Sequence, residues 1–134
     1  GVVIGVVNVV GSTIARACGR GVYLHAGPEI AVVSTKTFVS TLVAFVLLAL
    51  HLGRMKDVSA GAGRRLIDAL DRLPDLVTAL IANQAAYAAL AKTYARFSNA
   101  YFVGRNEGYA LAMEGALKLK EISLDIFWMI VNLI

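Results

Sequence analysis

The hydrophobic pattern of the chain changes its period several times, and the changes divide the chain into short strands and longer helices. Residues 1–10 form an almost continuous β-branched run, which is typical of a strand buried on both faces in a parallel sheet. Residues 19–24 form a second, shorter run, and we expect a short helical turn before it that starts at Ser12 or Thr13. Residues 99–105 are again strand-like and end after a glycine.

The longest predicted helix covers residues 37–53 and follows a turn at Gly27 and Pro28. Ser34 precedes this helix, and its hydroxyl is expected to accept from the free amides of the first turn. A helix N-terminus with Lys36 beside it suits an anion or an oxygen-rich ligand, because it carries partial positive charge. A capped core helix with a solvated lysine explains the same residues, so both interpretations stay open.

The middle of the chain is predicted to be a helical bridge. Residues 54–64 are charged and rich in glycine, which indicates a linker, whereas residues 65–97 return to helical spacing. A strong helix is expected over residues 109–123. The order strand, turn, strand, helix, bridge, strand, helix predicts an open parallel α/β sheet, in which ligands bind beyond the carboxyl ends of the strands.

The composition is apolar for a soluble domain, with 58% hydrophobic and 16% charged residues among 134. Such a chain buries nearly every element or covers its surface with partners, so we expect a homo-oligomer or an aggregation-prone chain. The net charge of +4 is scattered and forms no basic stripe, so nucleic acid is not expected as a partner.

The apolar run at residues 37–53 is barely long enough to cross a bilayer, and Ser40, Thr41 and His51 interrupt it. No membrane is therefore expected, although a membrane-associated helical piece remains an alternative. The single cysteine excludes an intrachain disulfide. The two histidines have no partner at metal-ligand spacing, and the glycines form no phosphate-binding fingerprint, so we expect no metal and no cofactor.

A row of ionisable residues lies on the predicted helix near the end of the chain. Glu114, Lys118 and Glu121 follow at i, i+4 and i+7, which places them on one stripe with Leu117 and Ile122 at its flanks. A partly dehydrated carboxylate beside an ammonium can work as a general base near neutral pH. An ordinary surface ion pair with a spare glutamate has the same spacing, so this alternative stays open.

Five motifs in this order resemble one protein family. The family is glutamine–fructose-6-phosphate aminotransferase, and the resemblance is to its isomerase half. The motifs run over residues 1–123, and the second and the fifth are the most specific. They are N-V-V-G-S-T-I-A-R (residues 8–16), A-G-P-E-I-A-V-V-S-T-K-T-F (26–38), L-P-D (73–75), V-G-R (103–105) and E-G-A-L-K-L-K-E-I-S (114–123).

The resemblance implies an α/β fold that contains parts of two flavodoxin-like, parallel-sheet sugar-isomerase subdomains joined by helices. Residues 1–56 would be the C-terminal part of the first subdomain and residues 57–98 a helical bridge. Residues 99–134 would be the N-terminal part of the second subdomain. Within them, the apolar tail at residues 124–134 departs from the family pattern.

The resemblance also implies a chemistry: the conversion of fructose 6-phosphate and glutamine to glucosamine 6-phosphate and glutamate in the cytoplasm. The sugar phosphate would touch Ser34 and the backbone of Val32. Glu121 would shuttle a proton between C1 and C2 of the sugar, assisted by Lys118. Ammonia would come from a separate glutaminase domain.

The family's phosphate cradle would precede Gly1, and its ring-opening histidine and imine-forming lysine would follow Ile134. The chain on its own is therefore expected to lack turnover. A non-catalytic module that binds sugar phosphates is the alternative, and it would not need the base at Glu121.

Overall fold

The computed structural model describes residues 1–123 and the backbone of residues 127–132. Short strands alternate with longer helices in this part of the chain. In chain order the elements are β1 (Gly5–Val7), α1 (Thr13–Cys18), β2 (Gly21–Tyr23), α2 (Lys36–Arg54), α3 (Ala60–Asp71), α4 (Leu73–Ala82), α5 (Gln84–Tyr94), β3 (Asn99–Gly104), α6 (Glu107–Ile122) and β4 (Phe127–Asn132).

The chain divides into two compact units. The first unit contains Gly1–Ile30 and Ser34–Thr78, and the second contains Ala31–Val33 and the chain from Ala79 onward. The division falls within α4, inside the segment predicted as a helical bridge. Each unit contains its own pair of strands.

The sheet of the first unit is a parallel pair, with Gly5 opposite Gly21 and Val7 opposite Tyr23. Helix α1 connects the two strands, as parallel pairing requires. Only residues 5–7 of the predicted ten-residue strand are paired, because β2 offers three residues as partners. The strand prediction was therefore right in type and wrong in length.

Local signals explain the bounds of α1. The Ala15 amide donates to the Ser12 hydroxyl over 3.3 Å, which confirms Ser12 as the residue that starts this helix. Gly19 ends it with a positive φ of 62°, a left-handed conformation that glycine adopts without steric cost.

The predicted linker at residues 54–64 is wrong in its second half. Helix α3 begins at Ala60, because the Ser59 hydroxyl accepts from the Ala62 amide over 3.2 Å and starts the helix despite the glycines that follow. Gly63 is buried against α2, and a Cβ at this position would lie 3.3 Å from Leu50 Cδ1. The glycine is therefore explained by close helix packing.

The second unit contains the other parallel pair, in which β3 and β4 pair along their whole length from Asn99 opposite Phe127. Helix α6 connects them. Strand β4 lies within the tail at residues 124–134, for which the sequence indicated only a departure from the family pattern. Parallel pairs joined by helices confirm the predicted α/β class and are consistent with parts of flavodoxin-like subdomains.

Helix α6 packs on β3 through small residues. Ala112 and Ala116 are the buried apolar residues among those described. Gly115 lies between them and faces Phe102 of β3, where an added Cβ would come within 3.1 Å of the ring. Small side chains let the helix approach the strand closely, which fixes the rotation of α6 about its axis.

Large apolar side chains stay at least partly exposed throughout the described residues, and Ile30 is 95% exposed. Within the same residues α2 is long and apolar enough to span a bilayer, judged by its length and composition alone. These exposed side chains are the surface that a partner would have to cover.

Candidate functional site

The turn before α2 is held by Asn8, the residue that directly follows β1. Its side-chain amide donates to the Gly27 carbonyl over 2.6 Å, and its Oδ1 accepts from the Ala26 amide over 2.9 Å. The turn contains two left-handed residues, His25 with a φ of 51° and Gly27 with a φ of 72°. Asn8 therefore stabilises a turn conformation that is costly for a non-glycine residue.

The N-terminus of α2 is capped by Glu29. The Thr37 amide and the Thr37 hydroxyl each donate to Glu29 Oε1 over 3.0 Å. The pKa of the Glu29 carboxyl is lowered chiefly by the hydrogen bond from the Thr37 amide. The Thr37 hydroxyl, the Thr35 amide and the Lys36 charge lower it further, against a desolvation that acts to raise it.

The prediction that Ser34 caps this helix is wrong. The N-cap position is Thr35, which makes no side-chain capping bond, and the Ser34 hydroxyl lies 2.5 Å from the Thr37 hydroxyl oxygen. The cap comes from an acidic residue that folds back from the turn. The anion that a helix N-terminus favours is thus the chain's own carboxylate.

A cavity of about 590 Å³ opens beside this helix start, within the first unit. It lies beyond the carboxyl ends of β1 and β2, where open α/β sheets bind their ligands. Its lining is Asn8, Val9, Leu24, Gly27, Pro28, Glu29 and Thr37. The described part of the first unit therefore has a mostly apolar cavity, with a few polar side chains, where the strand order predicts a ligand.

Val32, the other predicted sugar contact, lies in a bend and is 84% exposed. Its segment, Ala31–Val33, groups with the second unit, whereas Ser34 groups with the first. The proposed role of Val32 is carried by its backbone, so exposure of the side chain leaves that role open to test.

The predicted acid–base row is present on α6. Lys118 Nζ lies 2.6 Å from Glu114 Oε1 and 3.8 Å from Glu121 Oε2. The three side chains are between 22% and 29% exposed, so each is partly removed from water. The lysine sits between two carboxylates and closer to Glu114, which leaves Glu121 the less tightly paired of the two.

We expected apolar neighbours to shield the row by packing, but the apolar side chains at its flanks are exposed. Leu117 is 43% exposed and Ile122 is 67% exposed. The face of α6 that packs on β3 is the one with Ala112 and Ala116. The row therefore lies on the side of α6 opposite the packed alanines, with an exposed leucine at one flank and an exposed isoleucine at the other.

The row lies toward the C-terminal end of α6, whereas the Gly104–Arg105 corner lies at its N-terminal end. With a rise of ~1.5 Å per residue, the fourteen steps from Glu107 to Glu121 amount to about 20 Å. The structure thus places the row and the carboxyl end of β3 at opposite ends of one helix. In the second unit, a ligand at the row would not also occupy that corner.

The structure brings together Glu114, Lys118 and Glu121 in the second unit, and Ser34, Thr37 and Glu29 in the first. That each group contacts a sugar phosphate stays a prediction. Among residues 1–123 and the backbone of 127–132, no group of three or more His, Cys, Asp or Glu residues is placed to hold a metal ion.

Asn8, Glu29 and Thr37 line the site, and the sequence reasoning did not select them. Asn8 interrupts a β-branched run at the position where β1 ends, which is a signal for a strand-end polar residue. Glu29 follows the Pro28 turn and has no local signal as a helix cap, because it lies eight residues before the amide that it accepts from.

The fold and the site define a class. The chain carries parallel strand–helix units, a cavity at the strand carboxyl ends and a partly dehydrated acid–base row on a helix. Such an arrangement is typical of α/β proteins that bind small molecules, and the row offers side chains that can transfer protons.

The relatives of the chain are particular members of this class. It is 40% identical over 119 residues to glutamine–fructose-6-phosphate aminotransferase (isomerizing) from Halobacterium salinarum, covering 88% of the chain. The enzymes of the same name from Symbiobacterium thermophilum and Thermotoga maritima are 43% and 36% identical, each over 90% of the chain. No protein-family model matches the chain.

The chain spans about 20% of the length of these relatives. The expected resemblance to glutamine–fructose-6-phosphate aminotransferases is confirmed, and the chain is homologous to about a fifth of such an enzyme.

Proposed function

We propose that this chain is a segment of the isomerase part of a glutamine–fructose-6-phosphate aminotransferase. In this proposal the whole enzyme converts fructose 6-phosphate and glutamine to glucosamine 6-phosphate and glutamate. The chain contributes part of the sugar site and the residue that moves a proton, and it lacks turnover by itself. The observation that carries the proposal is the Glu114–Lys118–Glu121 row, because it combines a motif shared with the family and a geometry suited to proton transfer.

Glu121 is the proposed base. Conversion of a ketose to an aldose through an enediol requires one base that reaches both C1 and C2, so a single positioned carboxylate is sufficient. Lys118 lies 2.6 Å from Glu114 and 3.8 Å from Glu121. A lysine held by Glu114 keeps its ammonium next to Glu121 and can stabilise the negative charge that develops on the sugar oxygens.

The sugar is proposed to contact Ser34 and the backbone of Val32. Support comes from the cavity beside Glu29 and Thr37, at the edge of the sheet where ligands bind in such folds. Residues 1–56 and 99–134 would then be parts of two sugar-isomerase subdomains, with residues 57–98 as the bridge.

The proposed partners are a sugar phosphate, a glutaminase domain that supplies ammonia, and further copies of the chain. The exposed apolar side chains support self-association. We propose a cytoplasmic location, with no nucleic acid, membrane, cofactor or metal as a partner. One side of α2 faces β2 across an open groove of about 530 Å³.

The test replaces Glu121 by Gln in a chimera that carries this chain in place of the matching segment of the Symbiobacterium thermophilum enzyme. Isomerisation of fructose 6-phosphate should fall by at least about 100-fold, the lower range for loss of a general base. Binding of glucosamine 6-phosphate, measured by calorimetry, should be nearly unchanged, because Gln keeps the size of the side chain.

The matched control is Glu107→Gln, which neutralises an exposed glutamate in the first turn of the same helix. It should leave both isomerisation and binding unchanged. Full turnover in the Glu121→Gln chimera would reject the catalytic assignment and would favour a non-catalytic sugar-phosphate-binding module.

A further inference from the structure

We propose that Glu29 and Thr37 are positioning residues that hold the Ser34 hydroxyl as a hydrogen-bond acceptor toward the ligand. Ser34 then selects a donor group, a sugar hydroxyl or the ammonium of an amino sugar, and does not bind a phosphate oxygen. For the identity of the ligand, the inference rests on the proposed function. For whether the Ser34 hydroxyl donates to or accepts from that ligand, it rests on the hydrogen bonds of the first unit.

The three side chains form a continuous series of hydrogen bonds. Glu29 Oε1 lies 3.0 Å from both the Thr37 amide nitrogen and the Thr37 hydroxyl oxygen. The Thr37 hydroxyl oxygen lies 2.5 Å from the Ser34 hydroxyl oxygen. All three residues are partly buried.

The direction of each hydrogen bond follows from the carboxylate end. An ionised carboxylate can only accept, so the single hydroxyl proton of Thr37 is donated to Glu29. The Thr37 oxygen then has only lone pairs left for Ser34, and Ser34 must donate its own proton to Thr37. The lone pairs of Ser34 are the groups that remain for a ligand.

This polarity decides which part of a sugar phosphate fits at Ser34. The phosphate oxygens of the ligand are acceptors and would face the acceptor lone pairs of Ser34. The hydroxyl groups of the sugar and the ammonium of glucosamine 6-phosphate are donors and complete the series. The phosphate of the bound sugar is therefore directed away from Ser34.

The decisive variant is Thr37→Val, which removes the hydroxyl and keeps the amide that donates to Glu29. The amide bond that caps the helix is preserved, whereas both bonds of the Thr37 hydroxyl, to Glu29 and to Ser34, are lost. Thr37→Ser restores the hydroxyl. Thr41→Val is the matched control, because it removes another threonine hydroxyl of α2, which donates to the Thr37 carbonyl over 2.7 Å and does not contact Ser34.

Two measurements on the 134-residue chain separate this inference from the proposed function. The first is the side-chain rotamer of Ser34 from three-bond NMR couplings, which requires no ligand. We expect a single rotamer in the wild type, Thr37→Ser and Thr41→Val proteins, and averaged couplings in Thr37→Val.

The second measurement is the affinity for glucosamine 6-phosphate and for inorganic phosphate. In Thr37→Val the affinity for glucosamine 6-phosphate should fall about fivefold, the loss expected from one neutral hydrogen bond, whereas that for inorganic phosphate should not fall. Thr37→Ser should restore the wild-type affinity.

Unchanged Ser34 couplings in Thr37→Val would overturn the inference, as would an equal loss of affinity for both ligands. A wild-type chain that binds no sugar phosphate would count against the proposed function. In that case the couplings alone would still decide whether Thr37 positions Ser34.

Discussion

The turn that leads from β3 into α6 depends on Gly104, and replacing this residue by Ala tests the packing of the second unit. A Cβ at Gly104 would overlap the backbone of Gly108 at the start of α6. The obstacle is main chain, so no side chain can rotate away to make room. By contrast, a Cβ at Gly108 would meet nothing within 4 Å. The two glycines therefore form a matched pair.

The magnitudes follow from these two environments. Overpacking a tight site costs about 1–3 kcal/mol of unfolding free energy, and a clash with backbone belongs at the upper end of that range. Replacing Gly108 by Ala in the first turn of a helix should stabilise by about 0.5–1 kcal/mol, since alanine has less conformational entropy to lose on folding. The two variants should thus differ by about 3–4 kcal/mol.

The assay is urea unfolding followed by far-ultraviolet circular dichroism, with the free energy of unfolding extrapolated to water for each variant. A Gly104→Ala protein as stable as the wild type would refute the reasoning. So would a Gly108→Ala protein destabilised to the same extent, because the loss would then not come from the close approach at Gly104.

Three further predictions follow. The lowered pKa of Glu29 means that its stabilisation is present above its ordinary value of 4.5 and is lost as the pH falls through the lower folded-state pKa. The melting temperatures of wild type and Glu29→Gln should therefore differ most near neutral pH and converge in acid, and a pH-independent difference would be inconsistent with this. Lys118→Met should cost less than about 1 kcal/mol in urea unfolding, because the ion pairs are partly exposed, yet it should abolish sugar-phosphate binding by calorimetry. Unaltered binding would remove Lys118 from the site. In sedimentation velocity the chain should self-associate through its exposed apolar side chains, and a single monomeric species at every concentration would contradict this.

Features that depend on neighbouring residues were predictable from the sequence. The Ser12 cap acts on an amide three residues away, and the row from Glu114 to Glu121 follows from helical geometry alone. The parallel pairing of strands was implied by the alternation of β-branched runs with helices. Each of these inferences uses a period or a spacing that the backbone geometry dictates.

Features that depend on distant residues were not predictable in the same way. The cap of α2 comes from Glu29 across a turn, so the nearest hydroxyl at Ser34 was the wrong choice. The length of β1 is limited by its partner β2 and not by its own sequence. The start of α3 shows a related limit, because one serine cap outweighs the glycines that indicated a linker.

The site was predictable only in part, because its packing also depends on residues that are distant in the sequence. Spacing placed the carboxylates and the lysine on one stripe, but the packed face of α6 is formed by alanines and a glycine against Phe102. Leucine is the stronger hydrophobic signal in sequence, whereas close approach of a helix to a strand requires small residues. Leu117 therefore lies outside the packed face of α6 and stays exposed.

The central claim is that the residues near Ser34 and the row that ends at Glu121 each take part in binding a sugar phosphate. The most direct measurement is an NMR titration of the chain with glucosamine 6-phosphate, following the backbone amides of Val32, Ser34, Lys118 and Glu121. We predict that all four amides shift and that the shifts saturate with added ligand. Shifts confined to one of the two groups, or none at saturating ligand, would contradict the account.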